Sequence, residues 1–184
     1  MELGFAWWNI YLLVACFAGI TGLFLTPICI ALARKFNFYD KPAVEGHKKH
    51  NKATPLMGGL AICGAWVLTI LVGLYAPDIL KNQHLAPSVI QDLGGVFAVR
   101  RQLIVIVLGA VLIMLLGLID DKKPMSAKYK FLGQFVIVAF VVTFGGVKIT
   151  FFFHSDIISW CATVFWFLLI INAINFFDNM DGLA

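Results

Sequence analysis

QLIVIVLGAVLIMLLGLIDD, residues Gln102 to Asp121, decides the fold of this chain. From Gln102 to Ile119 it carries no charge, which is close to the ~20 apolar residues a helix needs to cross a bilayer. It then ends abruptly in two carboxylates, Asp120 and Asp121. Ionisable groups at a membrane boundary are costly to keep, so they are a functional hypothesis by default.

The rest of the chain follows the same plan. It has 184 residues, of which 61% are hydrophobic and only 13% charged, and its mean hydropathy is +0.91. That composition excludes an ordinary soluble domain and fits a polytopic membrane protein. The reading is all-α, a transmembrane helix bundle of about five spans forming one integral membrane domain over residues 1–184. The predicted spans are Trp7–Ala33, Met57–Tyr75, Gln102–Ile119, Phe131–Phe144 (with an extension back to Lys128) and Ile157–Phe177. Pro55 and Gly58-Gly59 open the second. No basic segment precedes the first apolar run, which is too long for a signal core and reads as a retained span.

Four loops are predicted between these spans. Arg34–Thr54 is basic, Ala76–Arg101 carries prolines and Gly94-Gly95, and Asp120–Lys130 is short and charged. The fourth, Gly145–Asp156, contains the alternating run KITFFF, Lys148 to Phe153, which reads either as a short strand or hairpin or as an interfacial aromatic belt. The first and third loops hold ten basic residues, the second and fourth hold four. The positive-inside rule then puts loops one and three in the cytoplasm and the N-terminus outside, with Asp120, Asp121 and the end of the fifth span on the cytoplasmic face. Arg100 and Arg101 stand against this bias and are expected to anchor the third helix at headgroups. Cys16, Cys29, Cys63 and Cys161 lie in apolar stretches at no metal-ligand spacing and read as small buried residues.

The fifth span ends in NAINFFDNMDGLA, Asn172 to Ala184. Asn172, Asn175, Asp178 and Asp181 recur every third residue. Steps of three turn a helix by about 300°, so neighbours share a face while Asn172 and Asp181 do not. Their oxygens are hard ligands suited to Mg²⁺. The plain alternative is hydrogen-bond glue between helices, which asparagine supplies in membranes, and for Asn172 both readings stand. For Asp120 and Asp121 the alternative is a solvated acidic pair, although negative charge at a helix C-terminus opposes the macrodipole. Lys130 and Gln134 lie four apart on one helical face. The lysine either holds a lipid phosphate or snorkels to the interface. The segment His47 to Ile62 joins Lys48, Lys49, His50 and Lys52 to a helix start, where a diphosphate could bind. Lipid attraction explains those charges equally well, and His47 with His50 lacks the further ligands of a zinc site.

Together DKP (Asp40 to Pro42), KKHNKATPLMGG (Lys48 to Gly59), GLIDDKKPMSAKYKFLGQ (Gly117 to Gln134) and NAINFFDNMDGLA (Asn172 to Ala184) resemble the polyprenyl-phosphate N-acetylhexosamine-1-phosphate transferase family in sequence and order. The resemblance implies transfer of a sugar 1-phosphate, N-acetylglucosamine 1-phosphate in the narrower reading, from a UDP-sugar to undecaprenyl phosphate. UMP is released, Mg²⁺ (or Mn²⁺) assists, and the setting is a bacterial inner membrane and its cell-envelope polysaccharide synthesis. It implies catalytic Asp120 and Asp121, metal-binding Asn175, UDP-sugar contacts at Asp40, Asp178 and Asp181, and a lipid-phosphate contact at Lys130. The TPLMGG portion also resembles the UDP-MurNAc-pentapeptide phosphotransferases. Members have about ten spans, so the chain is expected to be the N-terminal half of a longer transferase, with part of the site lying further on. Asn179 departs from the family's usual glycine, although asparagine also tolerates positive φ. The expected partners are the UDP-sugar, the lipid and the membrane, with a homodimer open to it and no nucleic acid. The rivals are a transporter, which would place ionisable groups at mid-membrane, and a non-catalytic scaffold.

Overall fold

A computed structural model describes residues 7–40, 54–80, 87–150 and 155–178. Five helices account for nearly all of them: α1 (Trp7–Lys35), α2 (Gly58–Leu80), α3 (Pro87–Lys122), α4 (Ala127–Gly145) and α5 (Asp156–Asp178). All five are long and apolar enough to cross a membrane. Their outer faces carry large apolar side chains, such as Trp8, Leu23, Phe165 and Ile157, that are mostly exposed. Water would penalise such a surface and lipid does not, so the chain is a multi-pass membrane protein. Helices are the form expected, because in hydrocarbon every backbone polar group must be satisfied within its own segment.

The chain divides into two compact units, residues 1–97 and 98–184. In the first, α1 packs on α2. Small residues let the backbones approach: a Cβ on Gly22 would lie 3.8 Å from that of Ala65, and one on Gly64 would lie 3.1 Å from Leu25 Cδ1. Helix α1 contains Pro27, which deprives the Leu23 carbonyl of its helical partner. It ends in a two-bond reversal. Asn37 adopts φ 52°, its N–H reaches Arg34 O, and the Phe38 N–H reaches Ala33 O at 2.8 Å. These are the 5→2 and 6→1 bonds of a Schellman ending, with Asn in the left-handed position. The chain then forms a two-residue antiparallel ladder, β1 (Tyr39–Asp40) with β2 (Thr54–Pro55), pairing Asp40 with Thr54.

In the second unit α4 and α5 are antiparallel. Near the start of α4 Gln134 meets Asn172, and near its end Thr143 meets Trp160. Between these contacts lies the core of Val138, Val142, Val164 and Leu168, flanked by Trp160, Phe167 and Ile171. The inner half of α3 packs closely on α4: a Cβ on Gly109 would collide with Val141, and one on Gly133 would lie 3.1 Å from Leu116 Cδ2. Gly146, at φ 65°, ends α4 in the left-handed conformation.

Four of the five expected spans lie within a few residues of their helices, and the early start of α4 was the noted extension. The third differs. Helix α3 has 36 residues, about 54 Å, and takes in much of the predicted loop Ala76–Arg101. Pro87 stands first, where its missing N–H costs nothing, and Gly94-Gly95 weakens the helix without ending it. Arg100 and Arg101 are therefore helical. Arg100 and Asp120 are twenty residues apart, about 30 Å along the axis, which is the thickness of a hydrocarbon core. Within KITFFF, Lys148 to Thr150 form no strand. The Ile149 N–H is taken by Thr163 Oγ1 at 2.9 Å and so is not left to a neighbouring strand, while the Lys148 side chain pairs with Asp156 at 3.0 Å. Phe151 to Phe153 lie outside the described residues.

Candidate functional site

The site begins in the turn between α3 and α4. Lys123 donates its N–H to Ile119 O and closes the last turn of α3. Pro124 has no N–H to offer. Met125 donates the next one, and Asp120 Oδ1 accepts it at 2.8 Å. Helix α4 starts immediately afterwards. Ser126 occupies its N-cap in extended conformation without a side-chain cap, and its carbonyl accepts from Tyr129 and Lys130 instead. The first turn of α4 thereby aims Lys130 back at α3, where Nζ donates to Asp120 Oδ2 at 2.7 Å. Both side chains are about four-fifths covered. Both oxygens of Asp120 are thus committed within ten residues of chain. Charge-assisted hydrogen bonds of this length are among the stronger ones.

One turn further along α4, Gln134 is buried, with 3% of its surface exposed. Its Oε1 accepts from Asn172 Nδ2 at 2.9 Å, and the same amide nitrogen donates to Leu168 O at 2.8 Å. Both donors of the Asn172 amide are used, and α5 is joined to α4 at this level. Asn175 lies three residues on, about 4.5 Å nearer the end of α5, while Lys130 lies four residues, about 6 Å, nearer the start of α4. Because the two helices are antiparallel, Asn175 stands roughly level with Lys130 and hence with Asp120.

The second unit therefore gathers Asp120, Lys130, Gln134, Asn172 and the backbone of Asn175 at one end. Asp121 is exposed beside Asp120, about 100° around the helix, and Asn175 is exposed near the end of α5. Asp178 is the last residue of α5, and Asp181 lies outside the described residues. Asp40 belongs to the first unit, in β1. The cationic segment Lys48 to Lys52 also lies outside the described residues. For Asn172 the interhelix-bond reading is the one realised. The bond between Gln134 and Asn172 joins residues 38 apart in sequence. The sequence offers Asn172 as an interhelix donor and Gln134 on the face of Lys130, but nothing in it pairs the two.

The donor set suits a hard cation. Mg²⁺ is held by one or two carboxylates together with substrate phosphates rather than by an all-protein cage. Among the described residues no three His, Cys, Asp or Glu side chains come together, and the oxygens of Asp121 and Asn175 match such a sparse arrangement in kind.

A multi-pass helical membrane protein with a lysine-carboxylate pair and a row of amides at one end of its second unit is the class that fold and site define. Residues 103–184 match the family described as glycosyl transferase family 4. Over 90% of its length the chain is 34% identical to the probable undecaprenyl-phosphate N-acetylglucosaminyl 1-phosphate transferase of Bacillus subtilis, covering 41% of that protein. It is 30% identical to the decaprenyl-phosphate N-acetylglucosaminephosphotransferase of Mycolicibacterium smegmatis, over 94% of this chain and 41% of that one. It is 27% identical to a phospho-N-acetylmuramoyl-pentapeptide-transferase of Clostridium acetobutylicum, over 86% of this chain and 49% of the relative. No solved structure matches it. Over most of its length the chain is therefore similar to polyprenyl-phosphate N-acetylhexosamine-1-phosphate transferases, with the glycosyl transferase family 4 match in its second half, and it spans half or less of the length of these three relatives.

Proposed function

We propose that this chain carries part of the active site of an enzyme that transfers N-acetylglucosamine 1-phosphate from a UDP-sugar to undecaprenyl phosphate. An oxygen of the lipid phosphate attacks the β-phosphorus of the UDP-sugar. The bond from that phosphorus to the bridging oxygen breaks, and UMP leaves with the electron pair. Such a reaction asks for alignment and charge neutralisation more than for covalent machinery.

The observation that supports this most is the Lys130–Asp120 pair at 2.7 Å, level with Asn175. Lys130 is a cation held in place by an internal carboxylate and able to exchange it for a phosphate. Asp120, bonded at both oxygens, orients the lysine and the turn. Asp121, exposed beside it, is the carboxylate to which we assign removal of a proton from the lipid phosphate. Asp121 and Asn175 would hold Mg²⁺, which when bound neutralises the pyrophosphate and stabilises the departing UMP. A UDP-sugar contact is proposed for Asp178 and for Asp181, and separately for Asp40. The distribution of basic residues supports a cytoplasmic site and an outside N-terminus, and the bacterial relatives support a bacterial inner membrane.

The choice of sugar is supported by the names of relatives. Those named for N-acetylglucosamine share 30–34% identity with the chain, whereas those named for the muramoyl pentapeptide share 26–27%. The muramoyl pentapeptide substrate is therefore the second reading. The complete gene product, incubated with labelled UDP-N-acetylglucosamine, undecaprenyl phosphate and Mg²⁺, should yield labelled lipid and UMP, and EDTA should abolish both. Labelling that survives EDTA, or none with either UDP-sugar, would overturn the proposal.

A further inference from the structure

Helices that are apolar on every face have no stripe to dictate how they meet. Helices α4 and α5 are of this kind, and their shared core of Val138, Val142, Val164 and Leu168 is non-directional. Direction comes from interhelix hydrogen bonds, of which two stand out among the described residues. Trp160 Nε1 donates to Thr143 Oγ1 at 3.0 Å near one end, and Asn172 donates to Gln134 at 2.9 Å near the other. The two attachments on α4 are nine residues, about 14 Å, apart. Only the second is next to the proposed site. A single buried amide can fix the register of packed helices at some cost in stability. Here the fixing partner is itself anchored, because Asn172 also donates to Leu168 O at 2.8 Å. The carboxamide therefore cannot turn without breaking two bonds.

We infer that the Gln134–Asn172 hydrogen bond is the pin that holds the end of α5 against α4 and sets Asn175 level with Asp120 and Lys130. Asn172 and Gln134 are positioning residues: they act through Asn175 and Lys130 rather than on substrate. The inference rests on the proposed transferase reading for its effect on activity, but its structural half stands apart from that reading.

The test uses the complete gene product with its native cysteines replaced and spin labels at Tyr129 on α4 and Phe176 on α5, both well exposed. In the parent the label–label distance should be narrowly distributed, and in Asn172→Leu and Gln134→Leu it should broaden or shift. The concentration of Mg²⁺ giving half-maximal transfer should rise about tenfold to a hundredfold in either variant, the usual effect of removing support behind a metal ligand. The double variant should be no worse than either single one, as expected for partners in one bond. The exchanged pair Gln134→Asn with Asn172→Gln should recover part of the loss. Thr143→Val, which cuts the attachment at the other end, should leave the Mg²⁺ requirement unchanged. If Asn172→Leu does not fold, Asn172→Asp removes the donors while keeping the shape. An unchanged distance distribution in these variants overturns the pin. A changed distribution with an unaltered Mg²⁺ requirement overturns its positioning role. A parent that makes no lipid-linked sugar sinks the transferase reading and leaves the distance measurement to decide the pin.

Discussion

Helices α1 and α2 in the first unit and α4 and α5 in the second solve the same packing problem by different means. In the first pair the described threonine hydroxyls fold back onto their own helix. Thr21 bonds Phe17 O, Thr26 bonds Gly22 O and Thr69 bonds Ala65 O. The helices meet through small residues such as Gly22 and Ala65. In the second pair polar groups reach across: Asn172 to Gln134 and Trp160 to Thr143. Dispersion between small residues brings helices close without fixing what faces what. Hydrogen bonds in hydrocarbon are directional, and a lost partner there is expensive to replace. The unit that uses them is the one that holds Asp120, Asp121 and Lys130.

That contrast can be broken most severely at the acidic end. Asp121→Asn should lower kcat for lipid-linked sugar synthesis by about 10²–10⁴-fold, the usual worth of a positioned acid or base, while protein yield and thermal unfolding in detergent stay near those of the parent. A parent-like rate would return the catalytic assignment to Asp120. Lys130→Met should act next, mainly on KM for the lipid phosphate, with a loss of about tenfold, equal to about 1.4 kcal/mol of binding. Asp120→Asn should release the same lysine, and combining the two changes should cost less than their product because they share one ion pair.

The smaller effects sharpen the comparison between the units. Gly109→Ala forces a methyl group against Val141 and should destabilise the second unit by about 1–3 kcal/mol, the usual cost of overpacking. Gly22→Ala, with ordinary contact to Ala65 at 3.8 Å, should be neutral or slightly stabilising. Thermal unfolding in detergent compares them directly, and equal effects would remove the distinction in packing. Least of all, Thr143→Val should cost about 0.6 kcal/mol, the average for a hydrogen bond between membrane helices. Thr69→Val, whose hydroxyl bonds only its own helix, should cost less still.

The candidate residues are legible in the sequence, and their neighbours are not. Asp120 and Asp121 stood out because charge at the end of an uncharged span is improbable without a use. Lys130 and Gln134 shared a face by simple helical spacing. The structure added which groups meet. It tied Asp120 to Lys130 and Met125, so the two adjacent aspartates are not equivalent. It also turned Asn172 from a candidate ligand into a link between helices. The length of α3 escaped because its first turns are too polar for a hydropathy reading, and nothing before Pro87 in that count marks a start. The strand reading of KITFFF fails at Lys148 to Thr150, where the Ile149 N–H is taken by Thr163, a partner too distant in sequence to be read by alternation.

The sequence by itself determined that the described residues form five helices long and apolar enough to cross a membrane, and that Asp120 and Asp121 stand at the end of one of them. Hydrocarbon leaves the backbone no partners but its own, and a charge cannot lie far from water. The tertiary structure alone decided the partners. Helices apolar on all sides have no preferred face, so the pairing of Asp120 with Lys130 and of Gln134 with Asn172 arises only when α3, α4 and α5 have packed.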